Sequence, residues 1–372
     1  MCQKDLKKVR VLNEVKRQVI DFQNRKMQLK LYVAERKWCA KCQATRTAEF
    51  PLGVTQKTQY GSGFRSLVIY LRHYQLLPYR RIQEIFQEVW RYACSLGTLW
   101  NIGESYFSLL EPVETQIKKR LECSAILHVD ESGLRIEKKL QWLHVISDAQ
   151  DTFYVPHEKR GSAAWGAHQL FEHYKGVLVH DHFKPYFKIE TKHGLCNAHH
   201  LRELKFIAEQ QGQVWAKHFF DLFCAMKKQV EWHRTYKTEI SEMKKGAFKR
   251  LYDELLMQGL WHPENIPKPK QGRTFGYAKQ TPAKNLLDRL RFFRKETLRF
   301  LEEPGVPFDN NQAERDIRMV KLQQKISGCF RSSQGAKQFC RIRGFFSTLR
   351  KRGLSILDST EKIFSGVSFS WA

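Results

Sequence analysis

Two short stretches constrain this chain more than anything else in it. Ala125-Ile126-Leu127-His128-Val129-Asp130 and Gly176-Val177-Leu178-Val179-His180-Asp181 are nearly all apolar, and each ends in a carboxylate. Apolar runs of this length bounded by polar residues read as buried strands. In an α/β sheet the strand ends are where active groups gather, because the loops there converge on one edge. Gln141 to Ser147 and Thr152 to Pro156 read as two more strands, joined to the first by short turns, and a helix is expected around Ala163 to Glu172. The pattern predicts an α/β fold with a mixed sheet.

A third acid completes the picture. Asp309-Asn310-Asn311 is predicted to cap a helix from Gln312 to Lys325 that carries Glu314 near its start. Three carboxylates at one edge repel each other unless a cation sits among them. Hard oxygen ligands in small number suit magnesium, which keeps several waters and accepts substrate phosphates. Two such ions can activate a water or a 3′-hydroxyl and stabilise the leaving oxygen of a phosphodiester. On the same helix Arg318 lies one turn beyond Glu314, Lys321 follows at i+7 and Lys325 a turn later, with Arg315 next to Glu314. A carboxylate at the tip and cations along one stripe suit a phosphate backbone beside metals. The plain alternative is a solvated helix with a Glu314–Arg318 ion pair. Asn310 or Asn311 is read as a DNA contact or as an orienter of Glu314, with helix capping as the plain alternative. Glu131 should point away from Asp130, and Asp148 reads as a turn residue.

Charge selects the partner. The chain has 64 Lys+Arg against 38 Asp+Glu, a formal net charge of +26. Such an excess fits salt-sensitive binding to nucleic acid through phosphate neutralisation. Hydrophobic residues at 42% are enough for a real core, which excludes wholesale disorder. The first residues, MCQKDLKKVR, carry no apolar signal-peptide region, and no apolar run is long enough for a membrane helix. The nine cysteines show no even framework, so free thiols and a cytoplasmic setting are expected.

The rest of the chain divides by pattern. Residues 1–60 read as short strands: Val9 and Val11 alternate with polar neighbours, as do Met27, Leu29, Leu31 and Val33. Cys39-Ala40-Lys41-Cys42 has the spacing of half a zinc knuckle. Residues 61–122 read as helical, with a helix-turn-helix outline from Tyr79 to about Tyr106. It would turn Thr98, Trp100 and Asn101 toward a DNA groove and leave Arg80, Arg81 and Arg91 for phosphates; an ordinary helical hairpin has the same outline. Residues 198–300 are helical and rich in Lys, Arg and aromatics, with a loop from Pro263 to Gly276. Cys196 and His199 have C-x-x-H spacing but run into an amphipathic helix, which favours packing or substrate contact over a metal role. No P-loop, dinucleotide fingerprint or serine-hydrolase elbow occurs.

The runs His128-Val129-Asp130-Glu131-Ser132, Val179-His180-Asp181, Cys196-Asn197-Ala198-His199 and Asp309-Asn310-Asn311-Gln312-Ala313-Glu314-Arg315 resemble those of the bacterial insertion-sequence transposases of family sixty-six. The last run is the most specific, and the resemblance covers nearly the whole chain. It implies a ribonuclease-H-like fold with a DDE triad carried by Asp130, Asp181 and Glu314. Asp130 would bridge two magnesium ions, for which manganese can substitute, and Asp181 and Glu314 would each hold one. The implied organisation is a partial zinc-finger-like β segment over 1–60, a helix-turn-helix region over 61–122, a catalytic core over 123–197 plus 301–345, a helical insertion over 198–300 and a tail over 346–372. The implied partners are double-stranded DNA at the terminal repeats and target, a second copy of the chain, and accessory proteins encoded beside it. The chain departs from the family at its start: relatives carry a second CxxC upstream, and here only Cys2 stands for it. Cys2, Cys39 and Cys42 are three ligands where a structural zinc wants four. The alternative reading is therefore a truncated or decayed transposase that binds DNA without cutting it.

Overall fold

The computed structural model describes residues 27–51, 53–166, 169, 171–266, 279–367 and 369–371. Cys2, Val9 and Val11 lie outside them, as does most of the Pro263–Gly276 loop. The alternating residues Met27 to Val33 form no strand. Leu29, Leu31 and Val33 are exposed, and period-two patterning stabilises a strand only where a partner and a core receive it. The first regular structure is the antiparallel hairpin β1 (Arg36–Cys39) and β2 (Ala44–Thr47), with the CxxC at its turn.

Helices α1 (Ser62–Ile69), α2 (Tyr79–Trp90), α3 (Leu96–Leu109) and α4 (Glu111–Glu122) follow. A π-helical turn (Tyr70–Tyr74) extends α1. α4 shows the local logic: Val113, Ile117 and Leu121 recur at helical spacing and are all buried. Pro112 sits in its first turn, Glu111 and Glu114 lie at its start, and Lys119 and Arg120 at its end, the favourable polarity for the helix dipole.

The sheet comes next, from β3 (Ile126–Ile136), β4 (Lys139–Ser147), β5 (Thr152–His157), β6 (Val177–His180) and β7 (Lys192–Leu195). Its order is β5-β4-β3-β6-β7. β4 is antiparallel to both β3 and β5, whereas β3, β6 and β7 run parallel. The helix expected around 163–172 is α5, Ser162–Gly166. The connection into β6 ends at Gly176, where a Cβ would lie 2.6 Å from the Ala125 carbonyl oxygen. Only glycine lets the two strand starts approach that closely.

Helices α6 (Asn197–Gln211), α7 (Val214–Thr235), α8 (Glu242–Trp261), α9 (Pro282–Phe292) and α10 (Arg294–Glu302) follow the sheet. The chain ends with α11 (Asn311–Ser327), α12 (Ser333–Lys351) and α13 (Ile356–Phe364).

Three cores hold these layers together. On one sheet face Leu127, Val129, Phe153 and Leu178 pack with α1 to α4 and with Ile342, Phe345 and Phe346 of α12. The helices of 61–122 thus share a core with the sheet. Val177 and Val179 face the other way, into a second core with Phe219, Phe223, Tyr252 and Leu286 of the α6–α10 block. Burying each such phenylalanine contributes about 1.5–3 kcal/mol. The third core joins Leu134, Leu143, Val145 and Tyr154 to Ala313, Ile317 and Val320 of α11 and Phe339 of α12. It fixes α11 against the sheet, and with it Glu314. α12 sits close to β5 because Gly344 meets the Thr152 carbonyl: a Cβ there would come within 3.1 Å of it.

Candidate active site

Strand alternation decides which residues face α11. Leu127 and Val129 enter the core with α1–α4, so His128 and Asp130 point to the opposite face. Pairing between β3 and β6 sets His128 beside Val179. Asp130 and Asp181 each lie two residues beyond that pair, Asp130 within β3 and Asp181 just past the end of β6. β6 stops at His180 while β3 runs on to Ile136, which opens the sheet at the two aspartates.

Glu314 arrives from the first turn of α11. A side-chain strap holds that turn. Asn310, 3% exposed, donates from Nδ2 to the Val129 carbonyl at 2.8 Å, and its Oδ1 lies 2.9 Å from His128 Nδ1. Asn310 occupies the cap position, but its side chain caps nothing; its carbonyl accepts the Glu314 N–H at 3.3 Å. Two buried hydrogen bonds to β3 outweigh one exposed cap. Asp309 Oδ1 receives the Asn311 N–H at 3.2 Å, and Asn311 itself is exposed.

The two aspartates are held by backbone N–H groups. Asp130 Oδ1 accepts the Glu131 N–H at 2.9 Å, and Asp181 Oδ1 accepts the Phe183 N–H at 2.8 Å. Among the described residues no lysine or arginine pairs with either aspartate. Burial, with the charges of Glu131, Asp181 and Glu314, pushes the Asp130 carboxyl up to about 7. Arg202 approaches Glu314 at 3.9 Å from an exposed position. Hard oxygen donors of this kind, with no cation paired to the two aspartates among the described residues, fit a divalent cation.

Glu131 differs from its neighbour. It faces away, where Arg160 holds it at 2.6 and 3.0 Å and the Tyr186 hydroxyl donates to it. The Arg160 guanidinium stacks on Phe183 at 4.0 Å and on Trp142 at 4.6 Å. Asp148 is a turn residue: its Oδ1 accepts the N–H groups of Gln150 (2.8 Å) and Asp151 (2.7 Å).

Residues that local pattern did not place sit beside Glu314. Ligand atoms of Cys196, His199 and Glu314 lie within 4.8 Å of one another. Cys196 is buried, its Sγ accepts the Asn310 N–H at 3.1 Å, and burial pushes its thiol up to about 11. The C-x-x-H spacing was the available signal. Its approach to Glu314 depends on β7, α6 and α11 meeting over more than a hundred residues of chain. Nearby, His182 pairs with His200 at 2.7 Å, and His200 with Asn197 Oδ1 at 2.8 Å. Burial, assisted by Arg289, pulls His182 down to about 3, so it is neutral.

Arg315, Arg318, Lys321 and Lys325 are exposed along α11. Glu314 to Lys325 spans about 16 Å. Lys321 is partly engaged, donating to the Gly133 carbonyl at 3.1 Å. The other predicted contacts lie on α2 and α3. Arg80 is exposed and 3.8 Å from Glu84, and Arg81 and Asn101 are exposed. Thr98 is half-buried, with its hydroxyl 3.0 Å from the Ser95 cap. Trp100 is half-buried, packing edge-on to Tyr79 and lying close to Gly335 of α12.

Cys39 and Cys42 stand at the β1–β2 turn, the thiol of Cys39 lowered by hydrogen bonds from Cys42 and Lys41. Among the described residues no third ligand joins them. Also among the described residues, no helix is long and apolar enough to cross a membrane.

A 70-residue stretch is 37% identical to the uncharacterized protein y4jO of Sinorhizobium fredii; it covers 19% of this chain and 22% of that protein, about a fifth of the relative's length. Residues 57–338 match the family described as "Transposase IS66 family", a span that includes Asp130, Asp181, Cys196, His199 and Glu314. With three-quarters of its length inside that match, the chain belongs to the IS66 transposase family.

Proposed function

We propose that this chain is an insertion-sequence transposase of the DDE type, built on a ribonuclease-H-like core, that cuts and joins DNA with divalent cations held by Asp130, Asp181 and Glu314. The observation that carries the reading is the Asp130 carboxyl, which is buried, pairs with no lysine or arginine among the described residues, and is pushed up to about 7 by burial and by the charges of Glu131, Asp181 and Glu314. The sheet order, with two antiparallel strands on one side of β3 and two parallel strands on the other, supports the fold reading. The family match supports the activity.

The residues divide the work as follows. Asp130, Asp181 and Glu314 hold magnesium or manganese. When bound, the metal activates a water or 3′-hydroxyl and neutralises charge on the phosphate. Asn310 fixes Glu314 against β3. Arg315, Arg318 and Lys325 hold the backbone of the DNA along α11, fixing register without reading sequence. Arg80, Arg81 and Asn101 on α2 and α3 are the surface we assign to terminal-repeat DNA.

The test is strand cleavage of labelled double-stranded DNA carrying the element's own end, with magnesium, for wild type and Asp130→Asn. The reading requires metal-dependent nicking by wild type alone, followed by joining when target DNA is added. Binding of both proteins to the end without cleavage by either would refute it.

A further inference from the structure

The three acids leave one neighbour unexplained. His199 lies on the first turn of α6, and one of its ring nitrogens is within 4.8 Å of both a Glu314 oxygen and Cys196 Sγ. Its Nδ1 is sealed from solvent with no hydrogen-bond partner. A sealed imidazole nitrogen without a partner is costly, since buried polar groups are nearly always satisfied. Its backbone is fixed, the His199 N–H donating to the Cys196 carbonyl at 3.2 Å. The exposed guanidinium of Arg202, one turn further along α6, reaches Glu314 at 3.9 Å.

We propose that His199 is a ligand, with Glu314, of the divalent cation on the α11 side of the site. The inference rests on the carboxylate reading above and adds a nitrogen donor to it. Cys196 is not the ligand: it is 1% exposed and its sulfur is engaged by the Asn310 N–H. It acts as a spacer that ties the start of α6 to the start of α11. The chemical consequence is a mixed site. Imidazole suits manganese and other transition metals better than magnesium, whereas an all-carboxylate set does not discriminate in that way. The ion held by Glu314 and His199 therefore favours manganese over magnesium more than the ion between the aspartates does.

The experiment is Mn2+ binding to the full chain, followed by electron paramagnetic resonance of free Mn2+, with Mg2+ as competitor. The proteins are wild type, His199→Ala, His199→Asp, Cys196→Ala, Glu314→Gln and Asp130→Asn, each checked for a native melting transition. We expect two sites in wild type, and one of them weakened at least tenfold in both H199A and E314Q. C196A should keep both sites. H199D restores an oxygen donor, so it should recover binding but lose about tenfold in preference for Mn2+ over Mg2+. If H199A binds Mn2+ as wild type does while D130N and E314Q bind worse, His199 only packs, and the inference fails while the carboxylate site stands. If D130N and E314Q also bind as wild type does, the carboxylate site itself is refuted.

Discussion

Asp130 and Asp151 are acids of the same sheet, in opposite situations. Asp151, at the start of β5, is 1% exposed and is gripped by Arg120 at 2.8 and 2.9 Å and by Arg352 at 2.9 Å. Burial pushes its carboxyl up, but the two guanidiniums outweigh burial and hold it below its ordinary value. Asp130 meets burial and three further acids with no cation, and rises to about 7. The first acid ties α4, β5 and α12 together. The second is held by the fold at an electrostatic cost that protonation or a bound cation relieves. Perturbed acids of the second kind mark sites of function, whereas those of the first kind mark structure.

Mutation should separate the two cleanly. Asp130→Asn, Asp181→Asn or Glu314→Gln should each lower DNA cleavage by about a thousandfold or more, the several kcal/mol that metal stabilisation supplies. None should lower the melting temperature of the metal-free protein. Asp151→Ala should do the reverse. Stranding Arg120 and Arg352 should cost about 3–5 kcal/mol of stability, measured by urea unfolding, with cleavage per folded molecule unchanged. A destabilised D130N or a cleavage-dead but stable D151A would erase the distinction.

Asn310 sharpens the comparison, because it couples fold and site. Asn310→Ala removes two buried hydrogen bonds to β3, costing about 1–3 kcal/mol, and frees the turn that carries Glu314. Cleavage should fall about a hundredfold, the scale of a misplaced catalytic group. The smallest effects belong to the α11 stripe. Arg318→Ala or Lys325→Ala should weaken binding to all DNA sequences alike and reduce the salt slope by about one each in filter-binding titrations.

How far the sequence alone reached follows the same division. The presence of two strands leading into Asp130 and Asp181, and of α11, was legible because local period and composition determine them. The end of the first strand was not: β3 runs on past Asp130 to Ile136, paired with β4, so that aspartate lies within the strand and not at its end. What stayed hidden depends on distant partners. Asn310 reads as a cap until β3 supplies it with better hydrogen bonds. Trp100 reads as groove-facing, and its packing on Tyr79 and beside α12 depends on distant chain. The alternation from Met27 to Val33 reads as a strand, but among the described residues no neighbouring strand receives it. The helices of 61–122 read as a separate unit, and their core proves continuous with the sheet.

The pH dependence of stability tests the central claim most directly, since the two acids carry opposite signs. A folded-state value raised from 3.8 to about 7 means that Asp130 contributes stability below about pH 4, lost as pH rises toward 7. A lowered value means that Asp151 contributes stability above its ordinary 3.8, lost as pH falls through its folded value. The measurement is the melting temperature of wild type and Asp130→Asn between pH 5 and about 8, with and without magnesium. We predict that metal-free wild type loses stability relative to D130N as pH rises through that window, and that magnesium restores it in wild type alone. Parallel pH profiles, or an equal rise with magnesium in both proteins, would contradict an uncompensated carboxylate site at Asp130.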